Sequence, residues 1–164
     1  MNTEPRIEER AAQPYVGIRR RVAMDGLGGA IDEALPALFG WLAERGVPPS
    51  GPPFVRYHII DMMRELDVEM AVPAEVTADD GRIQAGLLPA GRYVVLRHTG
   101  PYDGLVASNA ALLRWADEQG IALDSWDTAD GTAWRGRAEH YLTNPAEEPD
   151  SAKWETDVAF LTAD

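Results

Sequence analysis

The chain repeats itself. Tyr15-Val16 recurs as Tyr93-Val94, and Asp25-Gly26-Leu27 recurs as Asp103-Gly104-Leu105, both at an offset of 78 positions. Further along, Trp41 and Gly46-Val47 match Trp115 and Gly120-Ile121, now at an offset of 74. The offset thus falls by four within the stretch between, about one helical turn, so a helix in each half keeps the same inward face. Each half has the same order of patterns: a β-rich run, an amphipathic run, then two more β-rich runs. The repeat predicts one α+β domain over residues 1–164, built from duplicated βαββ units with pseudo-two-fold symmetry at about 5–78 and 82–164. Two helices are expected on one side of antiparallel sheets. A central ligand groove between the halves is expected on the side opposite the helices.

In the first half, Tyr15 to Val22 follows Pro14 and reads as a strand, with residues 4–10 leading into it. Asp25 is placed to cap a helix that carries Ile31, Ala34, Leu35, Leu38, Trp41 and Leu42 on one stripe. Pro36 inside that stripe is expected to kink the helix or to start its main part. Gly46 ends it. The proline-rich run 47–53 excludes helix and central strand. Phe54 to Ile60 and Leu66 to Val72 read as strands, the second with half-buried alternation. The polar turn Ala78-Asp79-Asp80-Gly81 marks the seam. The second half is expected to place strands at 83–88 and 92–98 and a helix ending at Gly120. A long polar loop from Asp124 to Gly131 and strands at about 133–143 and 154–162 complete it.

Charge narrows the function. The net charge is −12, which repels nucleic-acid phosphate, and Arg19-Arg20-Arg21, the one basic cluster, reads as a solvated strand edge. Direct nucleic-acid binding is therefore not expected, whereas an acidic field concentrates cationic small molecules. The absence of cysteine excludes disulfides and thiolate metal sites and fits a cytoplasmic location. The N-terminus does not have the pattern of a signal peptide, and no apolar run approaches the ~20 residues that span a bilayer, so no membrane contact is expected. His58, His98 and His140 lack the close spacing of a metal site, and no nucleophile elbow or phosphate loop occurs. No metal and no cofactor are expected.

The functional signal lies in Trp134-Arg135-Gly136-Arg137-Ala138-Glu139-His140-Tyr141-Leu142. Side chains two apart on a strand share a face, so Arg137, Glu139 and Tyr141 point the same way. A carboxylate beside an aromatic ring can hold an organic cation through charge, dispersion and cation–π attraction. The competing reading is a solvated glutamate on an exposed sheet face. Trp134 and His140 have the opposite parity; Trp134 joins the Glu139 face only across a bulge or at the strand end. Trp41 reads as core.

Three stretches carry a family resemblance: Leu88-Pro89-Ala90-Gly91-Arg92-Tyr93, His98-Thr99-Gly100-Pro101-Tyr102-Asp103-Gly104-Leu105, and Glu139-His140-Tyr141 followed by Asn144-Pro145. With Gly51-Pro52-Pro53-Phe54, Tyr57 and Leu66-Asp67-Val68-Glu69, they make nearly the whole chain resemble the GyrI-like small-molecule-binding family. That family is related to the effector-binding domains of multidrug-sensing transcription regulators. The resemblance implies a duplicated fold whose central cleft holds an acidic residue against cationic, aromatic, drug-like ligands. That role falls on Glu139, with Tyr141 as its neighbour and Tyr57 and Trp134 as aromatic walls. The family is often fused to a helix-turn-helix DNA reader; no basic recognition segment is left over here, so a stand-alone binder is expected. Some members hydrolyse electrophilic cyclopropane-bearing natural products, for which Glu139 would serve as general base and Tyr141 as donor. The family name also points to DNA gyrase as a protein partner. Multidrug-type binding or sequestration, hydrolysis and gyrase modulation are thus the three readings, in that order.

Overall fold

The computed structural model describes residues 2–77 and 79–164. Its strands are β1 (Arg6–Arg10), β2 (Gln13–Val22), β3 (Phe54–Ile60), β4 (Leu66–Pro73), β5 (Asp79–Asp80) and β6 (Ile83–Leu88). They continue as β7 (Gly91–Thr99), β8 (Ser125–Thr128), β9 (Gly131–Trp134), β10 (Arg137–Tyr141) and β11 (Glu155–Leu161). The two long helices are α1 (Leu27–Glu44) and α2 (Leu105–Glu118). All described strand pairs are antiparallel, in one open sheet ordered β1-β7-β11-β10-β3-β4-β2-β6-β5, with the β8–β9 hairpin attached to β3. The expected α+β class, with two helices on an antiparallel sheet, is what the chain adopts. Neither helix is long and apolar enough to cross a membrane.

The pseudo-two-fold relation holds residue by residue in the ladder. Tyr15 faces Pro73 as Tyr93 faces Leu161. Three residues earlier on the latter strands stand Met70 and Val158, whose partners are Val55 and Glu139. Val55 and Glu139 also pair with each other, so the axis passes between these two side chains at the centre of the sheet. The outer strands exchange partners between halves. β1 does not lead into β2 as a hairpin but pairs with β7 of the second half, and β6 pairs with β2 of the first.

Each helix packs on the flanking strands of its own half. Ala34, Leu38 and Leu42 of α1 join Val16, Ile18, Val68 and Met70 in one core, and Leu105 and Leu112 of α2 join Val94, Leu96 and Phe160 in another. Burying a leucine such as Leu38 contributes about 2 kcal/mol. The central strands β3 and β10 are left between the helices, and the cleft opens there. The groove is therefore on the helix side of the sheet, contrary to the expected opposite side. Alternation tells which residues share a face but not which face a helix will cover.

Several local expectations need adjustment. α1 runs through Pro36 as one helix, and Asp25 sits in a 3-10 turn before it without making a side-chain cap. The polar stretch after α2 is no loop: Ser125–Thr128 and Gly131–Trp134 form a hairpin that turns at Ala129-Asp130, and Gly131 after the turn has a φ of 129° that suits glycine. The strand expected over 133–143 breaks at Arg135-Gly136, where an added Cβ would lie 2.9 Å from Leu161 Cβ. Of the expected seam, Ala78 lies outside the described residues, while Asp79–Asp80 pairs with β6.

Candidate functional site

The cleft is a cavity of about 1070 Å³. Ile31, Leu35 and Phe39 of α1 line one wall, and Leu105, Val106 and Leu113 of α2 line another. Its floor is Tyr57 from β3 with Arg137, Glu139 and Tyr141 from β10, the three β10 residues sharing a face as strand alternation requires. Glu139 is only 6% exposed, so it is not the solvated glutamate of the competing reading.

The carboxylate is held from three directions. Tyr57 Oη donates to Oε1 at 2.9 Å, and Tyr141 Oη donates to the same oxygen at 3.0 Å. Asn109 Nδ2 of α2 donates to Oε2 at 2.9 Å. Hydrogen bonds of this kind offset the cost of burying a carboxylate. Burial, with Glu139 nearby, pushes both phenols well above their ordinary pKa, so each stays a donor at neutral pH. Tyr102 extends the aromatic wall, edge-on to Tyr141 at 5.4 Å and tilted on Trp154 at 4.9 Å. Asp32 is the one acid on the exposed rim among the lining residues.

Arg137 is the buried cation of the site, 9% exposed and on the cavity floor. Its Nη2 donates to Asn109 Oδ1 at 3.0 Å. Because Asn109 Nδ2 also donates to Leu105 O at 2.8 Å, both ends of the amide are fixed and it links Arg137 to Glu139. The guanidinium rests 4.4 Å from the ring centroids of both Trp134 and Phe160. Burial lowers its pKa to about 10, still charged at neutral pH.

Of the expected site residues, Tyr57, Glu139 and Tyr141 come together, all three through one carboxylate. Trp134 does not line the cavity; it ends β9 and packs against Arg137 and Phe160. Trp41 is core, its Nε1 donating to Asp80. Asn109, Tyr102 and Arg137 were not predicted as site residues. Arg137 had a usable signal in its strand parity. Asn109 had one as well: it stands four residues after Leu105, a polar break in the apolar stripe of α2.

The GyrI-like small molecule binding domain family matches residues 3–161. The C-terminal domain of EcmrR has a similar fold, with a TM-score of 0.74 and 20% identity over 97% of this chain and 96% of that one. In the EcmrR–DNA complex the TM-score is 0.77 at 20% identity, and 97% of this chain spans 57% of the longer EcmrR chain. The structure of SAV2435 bound to tetraphenylphosphonium matches with a TM-score of 0.67 and 14% identity over 98% of this chain and 94% of that one. A hydrolase from Listeria innocua matches with a TM-score of 0.65 and 16% identity over 98% and 92%. A search of the curated proteins finds no match. At these identities the structural likenesses establish the fold, and the family match covers nearly all of it: the chain belongs to the GyrI-like small-molecule-binding family.

Proposed function

We propose that the cleft captures amphipathic aromatic cations, with Glu139 as their counter-ion. The observation that carries this reading is a single buried carboxylate on the floor of a large apolar cavity, ringed by tyrosines. A lipophilic cation gains there from charge and from ring contact together. The tetraphenylphosphonium held by SAV2435 supports the same ligand class. The test is a fluorescence titration with a rigid aromatic cationic dye and a neutral isostere, on the unmodified protein and Glu139→Gln. The dye is expected to bind saturably and to weaken at least about tenfold in the variant, or ~1.4 kcal/mol, with the neutral compound little changed. Equal losses for both compounds defeat the counter-ion role.

A second reading is hydrolysis of electrophilic, cyclopropane-bearing compounds, supported by the Listeria innocua hydrolase of the same fold. A carboxylate offers about four lone-pair sites, and three are engaged by Tyr57, Tyr141 and Asn109. The remaining one suits a water, with Glu139 as general base and a tyrosine hydroxyl as donor to the leaving group. Product formation from such an electrophile, lost in Glu139→Gln, distinguishes turnover from capture.

A further inference from the structure

The guanidinium of Arg137 is buried but poorly satisfied. Arginine has five N–H donors. Here one nitrogen bonds Asn109, while Nε is buried with no hydrogen-bond partner. Among the described residues no carboxylate comes within ion-pair distance of it. The Trp134 and Phe160 rings fix the plane of the group but offer no acceptor. Asn109 stands between it and Glu139, so that carboxylate acts on the guanidinium only at a distance and makes no hydrogen bond to it. A buried cation left in this state is costly, and an anionic oxygen in the cavity would relieve that cost. Arg137 also repels a simple cation that settles on Glu139, because both groups form the same floor.

We propose that Arg137 is a second recognition group of the cleft, and that it takes a carboxylate-type oxygen of the ligand. The preferred ligand is then an aromatic zwitterion, its cation against Glu139 and its anionic oxygen against Arg137. This rests on the reading of Glu139 as counter-ion, and it goes further by naming the class of ligand. It also assigns Trp134 a task. Trp134 supports the guanidinium from outside the cavity rather than stacking on the ligand.

The test compares tetraphenylphosphonium with the ortho, meta and para isomers of (carboxyphenyl)triphenylphosphonium, by calorimetry at neutral pH. These isomers keep the four rings and the cation and add one carboxylate at different reach. Their methyl esters keep the added bulk without the charge. At least one isomer is expected to bind the unmodified protein about tenfold tighter than both tetraphenylphosphonium and its own ester, as a charge-assisted bidentate contact would give. Arg137→Met is expected to abolish that preference and to tighten tetraphenylphosphonium. Arg137→Lys is expected to retain part of the preference, because it keeps the charge but loses the planar fork. Tighter binding of tetraphenylphosphonium than of every isomer overturns the role of Arg137 and leaves the counter-ion reading intact. So does an Arg137→Met variant that shifts all compounds equally. Binding of none of them overturns both readings. The preference of the unmodified protein decides the matter even if Arg137→Met fails to fold.

Discussion

Tyr57 and Tyr141 are counterparts across the pseudo-two-fold axis, and their hydroxyls meet on one oxygen, Oε1 of Glu139, at 2.9 and 3.0 Å. Each strand next to the axis contributes one phenol, two residues beyond the Val55–Glu139 pair. A symmetric frame thus grips a single asymmetric charge. Either hydroxyl alone leaves Oε1 with a donor, so Tyr57→Phe and Tyr141→Phe should each cost about 1–2 kcal/mol. The double variant should cost more than the sum, because Oε1 then loses both donors. Urea unfolding of the three variants measures this. A double variant whose loss merely equals the sum of the two singles would show that the two hydroxyls do not share the carboxylate.

The axis also allows the charge to be moved. Val55 stands where Glu139 would fall after the two-fold operation, buried in the α1 core with Tyr57 and with Tyr141 packed against that core. Glu139→Val should abolish binding of a cationic dye. Adding Val55→Glu should restore at least part of it, about tenfold or more. The restored affinity should stay below that of the unmodified protein, because the Asn109 contact belongs to the α2 side. Dye titration of the single and double variants measures this; a double variant as inert as Glu139→Val rules out symmetric use of the floor.

Much of this arrangement was legible in the sequence. The Tyr-Val and Asp-Gly-Leu repeats carried the duplication, and the alternation Arg137, Glu139, Tyr141 carried the floor of the cleft. What escaped was everything set by contacts between elements. The exchange of β1 and β6 between halves leaves no local trace, since a strand edge is satisfied equally by either neighbour. The side of the sheet that the helices cover depends on packing at a distance. The hairpin at 125–134 was hidden by its composition, because four exposed residues in β8 read as a polar loop. The resemblance makes Trp134 an aromatic wall only across a bulge or at the strand end; the break at Arg135-Gly136 instead sets it against Arg137, outside the cavity lining.

Glycines separate packing from backbone cost. A Cβ on Gly86 would run into the ring of Tyr15, whose hydroxyl is fixed by Glu69 at 2.6 Å and Arg56 at 3.0 Å. That ring cannot yield cheaply, so Gly86→Ala should destabilise by about 1–3 kcal/mol. Gly29 and Gly40 of α1 have open space where a Cβ would go and do not need a positive φ. Gly29→Ala and Gly40→Ala should each stabilise by about 0.5–1 kcal/mol through helix propensity. Thermal melts of the three variants read the opposite signs; a stabilising Gly86→Ala would show that the Tyr15 network gives way.

Acid should loosen the face of the sheet away from the helices, through His140. Its Nε2 lies 3.2 Å from Arg10 Nη1, and arginine only donates, so the ring accepts and is neutral. Burial first, and Arg10 second, push its pKa down from 6.5 to about 4, against the smaller opposing pull of Asp157 and Glu8. A folded-state pKa below the unfolded value means that the unfolded chain binds the extra proton. Stability from the neutral ring is then fully present above about pH 6.5 and falls as the pH drops towards 4. Asp157 and Glu69 are held below the ordinary carboxylate range despite burial, by hydrogen bonds from Arg97 and from His58 and Tyr15. Their contributions begin to fall only below about pH 4.5 for Glu69 and 3.8 for Asp157, at or beyond the acid end of that range. The decline between pH 6.5 and 4 should therefore be shallower in His140→Gln, which keeps an acceptor for Arg10 but does not titrate. Urea midpoints across that range measure it, and the same slope in both proteins would locate the acid sensitivity elsewhere.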